Sequence, residues 1–226
     1  NSAAPRPDAL PVHIYLDGGT YAFAAVGTAQ TPQFPLLSGH VILHGGAATL
    51  AVEGTPIRLS PTAKVTMRHV RIEGRGEAGR SLLNEGTLTI EDSQISALSG
   101  AEGGIANAGR LTLVRVTLGA VRGRTAAPGG AIFNTGSTAG TCTAFLANHA
   151  SQGGALYNAE GGAVMLTKAT FSGNTANGGG AIFNADAAAV LIEEGYFGGG
   201  MPSINELTFG TDTLSERVDV QLAAAD

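Results

Sequence analysis

The sequence predicts an all-β protein, a single parallel β-solenoid of about 25 residues per coil, and three observations carry that prediction. The first is a repeat. Phe145, Asn148, Ala150, Gly153, Gly154, Ala155, Leu156, Tyr157 and Asn158 recur as Phe171, Asn174, Ala176, Gly179, Gly180, Ala181, Ile182, Phe183 and Asn184, each shifted by 26 positions. The second is a column of asparagines, Asn84, Asn107, Asn134, Asn158 and Asn184, at spacings of 23, 27, 24 and 26. Two positions before each stands an aliphatic residue: Leu82, Ile105, Ile132, Leu156 or Ile182. The third is composition. The 34 glycines and 5% aromatic residues suit short strands and many corners, and charged residues at 14% fall well below the usual roughly 25%.

Residues two apart on a strand share a face, so the aliphatic and asparagine columns point together into the coil. There stacked side-chain amides can bond from coil to coil, as asparagine ladders do in cross-β stacks. The intervening Leu83, Ala106, Phe133, Tyr157 and Phe183 then face out. Gly-Gly pairs before these strands supply corners where φ can be positive or a neighbouring coil can come close.

Gly129-Gly130-Ala131-Ile132, Gly153-Gly154-Ala155-Leu156 and Gly179-Gly180-Ala181-Ile182, with Phe145-x-x-Asn148 and Phe171-x-x-Asn174, resemble the GGA(I/L/V) and FxxN repeats of polymorphic outer membrane proteins. They also resemble secreted bacterial β-helix proteins with a pectate-lyase-like fold, and Ile14 to Tyr21 looks like the opening strand and turn of such domains. The resemblance covers most of the chain and fades after about Gly200. It implies a right-handed parallel β-helix and a secreted or cell-surface setting. Adhesins, passenger domains, polysaccharide lyases and hydrolases share this fold, so fold does not choose among them.

In chain order, Val12 to Leu16 alternates as a strand and Asp17-Gly18-Gly19 turns it. Residues 1–35 form an N-terminal segment and cap, in which the Pro- and Ala-rich Ala3 to Pro11 reads as an end left by processing or by a chosen boundary. Gly27 to Pro35 is a loop. Residues 36–200 form the β-helix. Val41-Ile42-Leu43, Ala48-Thr49-Leu50 and Ile57-x-Leu59 mark an early coil, and a second strand of each later coil follows at Val65-x-Met67, Leu88-x-Ile90, Leu111-x-Leu113, Val164-x-Leu166 and Val190-x-Ile192. About six coils at roughly 4.8 Å each make a rod of about 30 Å. Arg122 to Pro128 lengthens one coil as a loop, and its Arg122-Gly123-Arg124 is more readily a solvated loop than an anion site. Tyr196 to Pro202 breaks the pattern. Residues 201–226 are a C-terminal tail or cap, with Val218 to Leu222 alternating as a strand that either folds back or docks on a neighbour.

The net charge is −5, divided unevenly: +4 between Arg58 and Arg124 and −9 elsewhere. The basic residues are scattered arginines without a dense run, which argues against nucleic acid binding. No apolar run reaches the length of a membrane span. Cys142 is the single cysteine, so no intrachain disulfide forms, and alternation in Thr141-Cys142-Thr143 reads it as a small buried core residue. The histidines His13, His40, His44, His69 and His149 lack metal-ligand spacing, so no metal and no cofactor are expected.

Catalytic motifs are missing. The Asn-x-Asp, Asp-Asp and Gly-His-Gly motifs of pectin hydrolases do not occur, and Glu91-Asp92 and Glu193-Glu194 would alternate to opposite faces of a strand. Arg68, Asp92 and Arg115 could share a column on adjacent coils, as a solvated charge ladder rather than an active site. The expected function is a non-catalytic extracellular or cell-surface structural and interaction module, adhesin-like or a subunit of a surface assembly. Its partner would be a protein, a glycan or a copy of itself. The alternative is a polysaccharide lyase or glycoside hydrolase on the same fold. The candidate partner surface is the outward strip of Ala131, Phe133, Ala155, Tyr157, Ala181 and Phe183. Such a strip is covered by the tail, lies under loops, or contacts a partner.

Overall fold

The computed structural model of the chain describes residues 10–23, 36–52, 56–75, 82–100, 103–123, 128–198 and 207–209. Among these residues there is no helix, and parallel strands stack as a β-solenoid of about 6 turns. Each full coil has three faces. The short face consists of Ile57–Leu59, Leu82–Asn84, Ile105–Asn107, Ile132–Asn134, Leu156–Asn158, Ile182–Asn184 and Leu207–Phe209, paired in that order as a seven-stranded sheet. The other two faces belong to one 14-stranded sheet. Its middle face starts with Val12–Tyr15, His40–His44 and Lys64–Arg68 and ends with Ala189–Glu193. Its third face starts with Gly19–Phe23, Ala48–Val52 and Arg71–Gly74 and ends with Tyr196–Gly198.

Alternation builds the core. On the middle face Val65 and Met67, Leu88 and Ile90, Leu111 and Leu113, Val164 and Leu166, and Val190 and Ile192 are buried, as their spacing predicts. The asparagines of the short face are buried with them. Asn84 Nδ2 donates to Asn107 Oδ1 at 2.7 Å, Asn107 to Asn134 at 2.8 Å, Asn134 to Asn158 at 2.7 Å and Asn158 to Asn184 at 2.7 Å. A second interior ladder comes from the Phe-x-x-Asn motif. Asn148 Nδ2 donates to Asn174 Oδ1 at 2.9 Å, and the Phe145, Phe171 and Phe197 rings stack at 4.8 and 4.7 Å.

Two of the corners decide which side chains face in. Where the Gly-Gly pairs fall, Gly103, Gly129, Gly153 and Gly179 have φ of 76°, 75°, 60° and 60°, and a Cβ on Gly130 or Gly154 would strike the carbonyl of Gly154 or Gly180 on the next coil. The bend between middle and third faces uses glycine in an early coil, where Gly46 has φ 56°, but not from Lys64–Arg68 onward. From there it is made by His69, Asp92, Arg115, Cys142, Lys168 and Glu194, all with φ between 48° and 55°. Thr87–Ser96 and Arg110–Gly119 pass through this bend as continuous 10-residue strands.

That bend corrects three expectations. A left-handed residue interrupts the two-residue period, so two successive side chains face out and the next turns in. Cys142, read as buried, is exposed with φ 53°, and Thr143 takes the interior position. Glu91 and Asp92 both lie on the outside, neither being part of the core. Tyr196–Gly198 does not break the repeat: it pairs in register with Thr170–Ser172 and carries Phe197 into the phenylalanine stack.

Ala131, Ala155 and Ala181 are also corrected. All three are fully buried rather than outward. Their strands begin one residue later, and the amides of Ala131 and Ile132 both donate to the Ala155 carbonyl, at 2.9 Å each. Ala155 and Leu156 share the Ala181 carbonyl in the same way. Two successive amides aimed at one acceptor mean a curl, not an extended strand, so parity cannot be counted back through the alanine. In the tail, Leu207–Phe209 pairs in register with Ile182–Asn184. Gly27 to Pro35, the Ala3 to Ala9 portion of the Pro- and Ala-rich stretch, residues 124–127 and the Val218 to Leu222 strand lie outside the described residues.

Candidate functional site

Two outer features stand out. Each short-face strand has three residues, and the inward pull of its aliphatic residue and asparagine leaves the middle residue outside. In register these are Arg58, Leu83, Ala106, Phe133, Tyr157 and Phe183. The last three, predicted as a row of rings, are half-buried and stack face to face. Phe133 and Tyr157 are 5.4 Å apart at 6°, and Tyr157 and Phe183 are 5.2 Å apart at 2°. Ala131, Ala155 and Ala181 sit behind them in the core and contribute no surface. Because the rings cover one another, they offer outward edges rather than faces, together with the one face of Phe133 that meets Ala106.

Beside the rings, the coil bearing Ala106 also carries the exposed Ala108. A cavity of about 330 Å³ lies over these two small residues, between Leu83 and Phe133, and the exposed Arg58 and Glu85 also line it.

The second feature is a charge ladder on the bend. Arg68 was expected to share a column with Asp92 and Arg115. Register instead sets Arg68 against Glu91, with Nε at 2.8 Å from Oε2, and places His69 beside Asp92. Arg115 Nη2 donates to Asp92 Oδ2 at 2.8 Å and its Nε to Oδ1, a two-point pair. Further along, Lys168 Nζ is 3.7 Å from Glu194. A cavity of about 590 Å³, lined by Thr49, His69, Arg71, Asp92, Gln94 and Arg115 among others, opens beside the ladder.

The hydrogen bonds from the Arg115 guanidinium hold the Asp92 carboxyl below its ordinary value, and the Arg115 value is raised in return. A general acid working near neutral pH needs a carboxyl pushed the other way. Asp92 is therefore ionised and bound to its neighbour, while Glu91 is held by Arg68. The arrangement is a solvated ion-pair ladder in which Glu91 and Asp92 are each bonded to an arginine of a neighbouring coil. A depressed carboxyl contributes stability above its unfolded value and loses it as pH falls through the folded one. The Asp92 titration midpoint, followed by carboxyl-carbon NMR, is expected to rise in Arg115→Ala. An unchanged midpoint would mean that the pair does not form in solution.

The histidines meet in a way their spacing does not reveal. His13 Nδ1 lies 3.1 Å from His44 Nε2, and the Tyr15 ring stacks on His44 at 4.5 Å. Among the described residues no three His, Cys, Asp or Glu side chains come together as a metal site, and no helix is long and apolar enough to cross a membrane.

Residues 168–185, which include Phe171, Asn174 and the third Gly-Gly-Ala-Ile corner, match the Chlamydia polymorphic membrane protein repeat. Neither a curated protein nor a solved structure matches the chain. One segment of the solenoid is thus similar to a bacterial membrane-protein repeat, a similarity that suggests an outer-membrane or surface protein.

Proposed function

We propose that this chain is a non-catalytic structural and interaction module of an extracellular or cell-surface protein, and that the face bearing Phe133, Tyr157 and Phe183 is its contact surface. The observation that carries the proposal is the continuous ladder of three half-buried rings on the outside of the shortest face. Aromatic groups left partly in water are costly and are typical anchors of protein interfaces. The match to a repeat of a bacterial membrane-protein family supports the surface setting. The ion-pair ladder, the other outer feature, spends its charges on its own neighbours. It therefore adds little to binding.

The test replaces Phe133, Tyr157 and Phe183 together with Ser and follows both thermal unfolding and retention on the cell surface. Retention is expected to fall at least tenfold at temperatures where the variant remains folded. Full retention with a lowered melting temperature would assign the rings to stability alone.

A further inference from the structure

We propose that the cavity over Ala106 is a slot for one aromatic side chain, a tyrosine or phenylalanine of a partner protein, which enters as the missing rung of the ring ladder. The proposal rests on the short face being the contact surface.

The outer column shows what packs against its own rings. From Phe183 through Tyr157 to Phe133, each step adds a nearly parallel ring at 5.2 or 5.4 Å. The next position in register is Ala106, and the one after it is Leu83. The ladder therefore ends on a free face of Phe133, opposite an aliphatic side chain two coils away. Coils repeat at about 4.8 Å, so Leu83 and Phe133 stand roughly 10 Å apart, which leaves about one ring spacing on either side of an inserted ring. The floor is low because Ala106 and Ala108, on the same coil, are both small; Ala106 is buried at the base, with 9% of its surface exposed, and Ala108 is exposed.

Size and chemistry select the occupant. A volume of about 330 Å³ is at the bottom of the roughly 300–1,000 Å³ range of ligand pockets, fitting a single ring rather than a chain of sugars. Sugars need several hydrogen-bonding groups around them. Asn84 and Asn107 border the cavity, but their amides are bonded along the interior ladder, to Asn107 and Asn134 respectively. The Thr135 hydroxyl also lines it but donates to the Asn107 carbonyl at 3.2 Å, and what remains is an apolar wall, the face of Phe133, and Arg58 and Glu85 as polar groups. This combination suits an aromatic ring, and Arg58 or Glu85 gives a phenolic hydroxyl a polar neighbour.

The test uses the full chain with labelled alanine methyls and N-acetyl-tyrosine amide as the probe. The Ala106 and Ala108 methyl resonances are expected to shift saturably, and that of the buried Ala131 to stay in place. Ala106→Phe supplies the rung from within. It is expected to keep or raise the melting temperature and to weaken probe binding at Ala108 at least tenfold. The proposal is overturned if no saturable shift occurs, if Ala106→Phe binds the probe as the parent does, or if that variant melts lower because no ring fits the gap. It is equally overturned if maltose shifts these methyls and the tyrosine probe does not, which would make the slot a glycan site. Loss of retention in the triple serine variant without probe binding would sink the slot and leave the contact face standing. Probe binding with full retention in that variant would sink the contact face and leave the slot as a site for aromatic rings.

Discussion

Phe171→Ala is expected to be among the most destabilising single changes in the chain, costing about 3–5 kcal/mol, the usual range for truncating a buried phenylalanine. The ring is fully buried and lies between Phe145 at 4.8 Å and Phe197 at 4.7 Å, so its loss opens a void facing two coils at once. Solenoid stability is roughly a sum of coil terms and nearest-neighbour interfaces, and this residue enters two interfaces. Phe197, which is only partly buried, has its described stacking partner on one side. Phe197→Ala should therefore cost clearly less. Denaturant midpoints of both variants, with slopes compared to check that unfolding stays cooperative, decide the matter. A cost for Phe171→Ala below about 1 kcal/mol would mean that the stack is not part of a close-packed interior.

The solenoid was legible because its constraints repeat. A residue that must fit between identical neighbours above and below is restricted in every coil, so Asn84, Asn107, Asn134, Asn158 and Asn184 declare their column without any structure. The outward ring row followed from that column by parity, and it lies where parity puts it. Parity also set the limits of the reading. It holds only along extended backbone, and two local events end it: the left-handed residue at the bend, and the curl after each Gly-Gly pair. Cys142 was misplaced by the first, and Ala131, Ala155 and Ala181 by the second.

The bend was hard to see because its residues share no chemistry. His69, Asp92, Arg115, Cys142, Lys168 and Glu194 have a conformation in common and nothing in composition. Gly46 marks the same corner in an early coil, whereas the left-handed non-glycine residues that follow leave little signal in their type. The charge ladder was only half legible for a different reason. Asp92 and Arg115 are 23 residues apart and so are Arg68 and Glu91, in step with Val65 and Leu88; an offset of 24 had set Arg68 against Asp92, one residue too far along the strand. The slot over Ala106 depends on a residue that departs from the repeat, and a column of rings draws attention to where it runs rather than to where it stops.

Asn158→Leu is the companion prediction for the polar interior, expected to cost about 3 kcal/mol although leucine is apolar and close in volume. Asn158 is fully buried and serves two coils. Its Oδ1 accepts from Asn134 Nδ2 at 2.7 Å, and the two hydrogens of its Nδ2 are directed to Asn184 Oδ1 at 2.7 Å and, shared, to the Ala189 carbonyl at 3.1 Å and the Gly162 carbonyl at 3.2 Å. Leucine removes these bonds at once and leaves their partners in a place water reaches poorly. Each buried polar group deprived of a bond costs about 1–3 kcal/mol, and the gain from an added apolar side chain recovers only part of the sum. The neighbouring Tyr157 provides the control, because it belongs to the same strand but faces out. Tyr157→Leu should shift the denaturant midpoint much less. Equal shifts for the two variants would contradict an inward amide ladder. A double-mutant cycle of Asn134→Leu with Asn158→Leu tests the coupling directly: once one rung is gone, removing the next should cost less than it does in the intact ladder, by about 1 kcal/mol or more. Strict additivity would mean that the amides act separately rather than as a ladder.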